Sequence, residues 1–175
     1  MKHFAPVLIF GLAAGSVAWA HENATGVVAE RMEKMERFEE LIERVFAMIG
    51  GELTYDAAAV KRAAEEIRSG SGRHLTTLFP QGSNAPPSEA RAEIWRDFGE
   101  FEHYAFMLER WTAELAARAN ERPRGKLPQK WEDAEMGPNM MRSGAMMMGS
   151  GGLDFAAWHV AATCNACHAE FREED

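Results

Sequence analysis

Apolar side chains recur every three or four positions in four separate stretches of this chain, and no run alternates strictly between hairpin signals. That period belongs to helices. Across residues 25–49, Val28, Met35, Phe38, Ile42, Val45 and Ile49 fall on one stripe, while Glu33, Lys34, Glu36, Glu40 and Glu43 lie mostly off it. Gly50-Gly51 closes this helix, because glycine accepts the left-handed geometry of a C-terminal cap. A second helix is expected to begin at Thr54 or Asp56, either of which can accept bonds from first-turn amides. Leu53, Ala57, Val60, Ala64 and Ile67 continue its seam, and the small residues 69–72 weaken it before His74, Leu75, Leu78 and Phe79. Residues 80–87 (PQGSNAPP) read as a loop. Ser88 is the expected cap of a third helix, whose stripe runs through Ile94, Phe98, Phe101, Ala105, Leu108, Thr112, Leu115 and Ala119 and stops by Pro123. A connector over residues 122–152 leads to a last helix near Asp154 with Phe155, Trp158, Ala162, Cys167 and Phe171. Four helices with apolar stripes must cover one another, so the expected fold is an all-α antiparallel four-helix bundle.

The 175 residues suffice for one domain with a real core. A net charge of −8 argues against nucleic acid, which demands a surplus of Lys and Arg on one face. The first twenty residues stand apart. Lys2 and His3 form a basic start, the following run to Val17 is mainly apolar, and Ala18-Trp19-Ala20 offers a peptidase site. Residues 1–20 therefore read as a secretory signal, leaving 21–175 as the mature domain. No later apolar run is long enough to span a membrane, so an exported, periplasmic protein with no membrane span after cleavage is expected.

The chemistry concentrates in Cys164-Asn165-Ala166-Cys167-His168. On a helix, positions 164, 167 and 168 share a face. Two thiols at that spacing can add to the vinyl groups of one haem, and the adjacent imidazole can hold its iron. A zinc site would need four ligands, and no second Cys pair or His-x₃₋₅-His exists. A thioredoxin-like pair would need a βαβ pattern, and a Cys164–Cys167 disulfide would strain the expected helix. The prediction is one covalent haem c, with Cys164 and Cys167 as attachment points and His168 as axial iron ligand.

This motif on the fourth helix of a bundle resembles cytochrome c′, the class II c-type cytochromes. The resemblance extends to Arg31 with Met35, Leu78-Phe79-Pro80, Ala92-Glu93-Ile94-Trp95 with Phe98, and Phe171-Arg172 after the motif. It implies that the position facing the iron from the first helix, four residues after Arg31, is Met35. In low-spin relatives a methionine there ligates iron and the protein carries electrons. In high-spin relatives the iron is five-coordinate and binds nitric oxide or carbon monoxide. The resemblance also places Arg31 and Arg172 at the haem edge or a propionate, although such arginines are more often solvated surface charges. Met35 lies on the stripe and is read as the sixth ligand, since thioether ligation stabilises ferrous iron; filling the core over an open face is the other role methionine plays well. Met32 flanks the stripe, His159 sits half a turn away from His168, His103 should face water, and His74 is the remaining alternative ligand.

The connector departs from the family pattern in length and in Met136, Met140, Met141, Met146, Met147 and Met148. Thioethers select soft ions such as Cu(I), but without His or Cys anchors the simpler reading is a loop lying over the bundle. No acid–base pair or nucleophile is arranged for turnover, so an enzyme is not expected. The expected function is an exported monohaem electron carrier with His168/Met35 ligation and a redox partner protein. A five-coordinate gas-binding cytochrome c′ is the alternative, and a copper-responsive protein using the methionine connector is the third. Seam residues left exposed on the first two helices would allow a homodimer.

Overall fold

The computed structural model describes residues 24–135 and 151–173. The signal-like residues 1–20 and the six connector methionines lie outside this set. The described residues form six helices: α1 (Gly26–Gly50), α2 (Ala57–Gly70), α3 (Arg73–Thr76), α4 (Glu93–Arg96), α5 (Phe98–Arg118) and α6 (Leu153–Phe171). A single 3₁₀ turn, Trp131–Asp133, interrupts the connector. The long helices α1, α2, α5 and α6 make the expected four-helix bundle, and among the described residues none is long and apolar enough to cross a membrane.

α1 spans the predicted residues and ends as expected, with Gly51 at φ 88°. Asp56, not Thr54, caps α2; its carboxylate accepts from the amides of Ala58 and Ala59. Leu53 does not join the seam but stands 49 % exposed. Helix two does not run on past the small residues. Gly72 turns at φ 56° and a separate single turn, α3, carries Leu75 inward.

The third helix starts later than Ser88. Residues 89–91 are drawn into an antiparallel bridge with the end of α6: the Arg91 amide donates to the Phe171 carbonyl (2.9 Å) and the Glu173 amide to the Glu89 carbonyl (2.8 Å). α4 and α5 follow, separated by Asp97, whose carboxylate accepts from the Glu100 amide and so caps α5.

α6 is buried on nearly every side. Its small residues Ala156, Ala157, Ala161 and Ala162 are fully covered, while Phe155 and Trp158 are only half-buried. Alanines let α6 approach α5 closely, whereas its contact with α1 is sparse. The core accordingly splits in two. A larger cluster holds Val45, Val60, Trp111, Leu115 and Val160; a smaller one holds Leu75, Phe79, Ile94, Phe101 and Phe171. Each buried aliphatic or aromatic chain contributes about 1.5–3 kcal/mol by leaving water.

Candidate functional site

Where α1 and α6 stand apart, a cavity of about 720 Å³ opens between the two core clusters. Cys164, Cys167 and His168 all line it, as their spacing on one helix requires. Cys164 packs against the larger cluster and Cys167 against the smaller, so the two thiols straddle the hollow. No disulfide joins them. Burial pushes the Cys164 thiol up to about 12 and pushes Cys167 up as well, with Cys164 and Glu170 adding to the latter. Burial also pushes the His168 imidazole down to about 4; Arg172 acts in the same direction and Glu89 opposes it. The ring is therefore neutral at pH 7, which is the form that binds a metal.

Met35 and Met32 both line the cavity from α1, with Phe38 and Ile42 beside them. Met32 is thus part of the wall and not merely a flank of the stripe. The imidazoles offered as alternatives are elsewhere. His74 and His103 are exposed. His159 is fully buried in the bundle, stacked on Trp111 with ring centroids 4.0 Å apart.

Arg31 is a buried side chain, 4 % exposed, and lines the cavity. Its guanidinium donates to the Ser83 hydroxyl (2.9 Å) and the Ser83 carbonyl (2.5 Å), to the Ser88 hydroxyl, and to the Leu78 carbonyl (3.5 Å), and lies over the Phe79 ring. Arg172 also lines the cavity, but is half-exposed and pairs with Glu89 at 2.6 Å. Both arginines therefore stand at the cavity while tying down the loop between α3 and α4. Trp95 reinforces that loop by donating from its indole to the Phe79 and Pro80 carbonyls (3.1 Å each).

Several wall residues escaped the sequence reading, Glu89, Tyr104 and Trp131 among them. Glu89 was hidden in an apparent helix start. Tyr104 looked like a neighbour of the α5 seam, yet it is buried at the wall and donates to Glu170 at 3.2 Å. Trp131 lies in the connector, and its one visible signal is being a lone large aromatic among polar and glycine-rich residues.

A hollow of this size falls within the range of cofactor pockets. Its two thiols, neutral imidazole and the apolar side chains Met32, Met35, Phe38 and Ile42 opposite them fit a haem held by two thioethers. Among the described residues no group of three His, Cys, Asp or Glu side chains is placed to hold a metal ion.

The fold and the cavity define a helical-bundle haem protein. The family model described as Cytochrome C′ matches residues 26–137, so the chain belongs to the cytochrome c′ family and binds covalent haem c. The matched residues end within the connector, before the Cys164–His168 motif. Solved structures agree on the fold. Cytochrome c′ from Rhodobacter Spheriodes superposes with a TM-score of 0.64 at 22% identity, covering 85% of this chain and 96% of that one. Cytochrome c′ from Rhodopseudomonas palustris gives 0.63 at 20%, covering 87% and 99%. A ferrous variant of cytochrome c prime from Alcaligenes xylosoxidans with bound NO gives 0.60 at 21%, covering 85% and 94%. No curated protein sequence matches the chain.

Proposed function

We propose that this chain is an exported cytochrome c′ that binds a diatomic gas on the side of its haem opposite His168. Cys164 and Cys167 would hold the group covalently and His168 would ligate its iron. The observation that carries the reading is the shape of the cavity wall. The face across from α6 comes from α1, where the apolar side chains Met32, Met35, Phe38 and Ile42 stand beside Arg31, Glu36 and Glu39, and that helix carries no imidazole. The four apolar side chains supply no nitrogen ligand, which leaves that position for a small neutral molecule. When bound, ferrous haem supplies a coordination position for nitric oxide or carbon monoxide. The nitric oxide complex of a relative with this fold supports the same reading.

A second reading keeps the cavity and changes the occupant of that position. Met35 lines the wall, and a thioether there can ligate iron, which would make the protein an electron carrier. Ferric electron paramagnetic resonance with near-infrared spectroscopy separates the two. An open site gives a high-spin signal, no sulfur-to-iron charge-transfer band, and spectra unchanged in kind by Met35→Ala. A low-spin signal that Met35→Ala converts to high-spin rejects the gas-binding reading in favour of the carrier.

A further inference from the structure

Connector residues form one wall of the cavity, and two observations independent of the thiols and His168 place them there. Asn165, inside the Cys-x-x-Cys-His motif, directs its amide nitrogen at three main-chain carbonyls of the connector: Trp131 (3.1 Å), Glu132 (3.1 Å) and Ala134 (3.0 Å). The 3₁₀ turn so anchored packs on both α6 and α1, the two helices that otherwise meet only sparsely. Trp131 is 8 % exposed and lines the cavity, and Cys164 packs against the same cluster that contains it. Its indole N–H is buried with no partner among the described residues. What the ring offers the cavity is its large flat area as part of the wall.

We propose that Trp131 seals the cavity edge between α1 and α6, setting how far water and gas ligands reach the haem, and that Asn165 is the positioning residue that holds it there. The inference rests on the haem reading above. Its logic is geometric. Two helices that meet only sparsely leave a slot; residues 131–134 of the connector fill it; and the residue that fastens them sits between the two cysteines of the motif. Loading the haem and closing the slot are thereby tied to the same turn of α6. Water admitted through the slot would favour the more highly charged ferric state and lower the reduction potential.

The test compares the haem-loaded wild type with Trp131→Ala, Trp131→Phe and Asn165→Ala. Expected for Trp131→Ala and Asn165→Ala are a more negative reduction potential and a several-fold faster association of carbon monoxide with the ferrous protein. Trp131→Phe keeps a ring in the slot without the N–H and should restore both values to near wild type. Hydrogen exchange should show residues 127–135 loosened by Asn165→Ala while α5 keeps its protection, which separates release of the connector from general unfolding. A pigmented wild type whose potential and carbon monoxide rate are the same in Trp131→Ala overturns this proposal alone. A wild type that takes up no covalent haem in a maturation-competent host overturns the function proposed above. Unchanged exchange at 127–135 in Asn165→Ala removes its positioning role.

Discussion

Arg31 shows most clearly how one side chain can hold a site together without doing its chemistry. A guanidinium has five donors and no acceptor, and here four oxygens from Leu78, Ser83 and Ser88 converge on it while Phe79 covers its face. Burial lowers its pKa, though a guanidinium remains charged at any working pH. Replacing it with glutamine strands several buried acceptors, and the expected loss is about 2–4 kcal/mol of unfolding free energy. Urea denaturation of the holoprotein measures it, and a loss under 1 kcal/mol would mean that the loop holds itself. Resemblance to a family was enough to single Arg31 out in the sequence. Its partners were not legible, because residues 78–88 carry no period and the serines that meet it are 52 and 57 residues further along. Met32 was undervalued for a related reason: a stripe marks the centre of a buried face but not its width.

Helices were legible where local signals and packing agree. The stripe of α1 and the two glycines after it predict both its length and its end, and the left-handed Gly51 matches that expectation. Asp56 is the comparable signal for α2. Its carboxylate satisfies two amides that would otherwise face only water at the first turn, so Asp56→Ala should cost about 1 kcal/mol, read as a lowered urea midpoint with an unchanged m-value. Ser88 carried the same kind of signal and failed. Its hydroxyl is taken by Arg31 and the Ala90 amide, and the backbone beyond it is claimed by the bridge to Phe171 and Glu173. Tertiary hydrogen bonds with the end of α6 outcompeted a helix start. α6 itself was placed correctly but rotated in the reading, since a helix covered on nearly every side has little polar face to orient it.

At the scale of the molecule, the motif at 164–168 was enough to locate the cavity, while its walls come from segments far apart in the chain: α1, the loop before α4, α5 and the connector. The same bundle carries an acid sensitivity that lies away from the site. His159 is fully buried, its Nδ1 lies 2.8 Å from the Phe155 carbonyl, and its Nε2 has no partner among the described residues. Burial lowers its pKa below the unfolded value, the Phe155 carbonyl opposing in part. The unfolded chain therefore binds a proton that the folded one refuses. The neutral ring's contribution is fully present above about pH 6.5 and is lost as pH falls through the folded pKa. One proton limits the slope to about 1.4 kcal/mol per pH unit. His159→Phe keeps a ring between Trp111, Phe155 and Trp158, removes the orphaned nitrogen, and should match or exceed wild-type stability at pH 7. It should also flatten the fall in stability between pH 6.5 and pH 5, measured as the difference between the two holoproteins so that the carboxylates cancel. Parallel curves for the two proteins would show that the acid sensitivity arises elsewhere. Because His159 and Cys164 share α6, a second readout follows: the haem absorption band should keep its wild-type position at pH 7 in His159→Phe, since the variant alters the core and leaves the cavity wall intact.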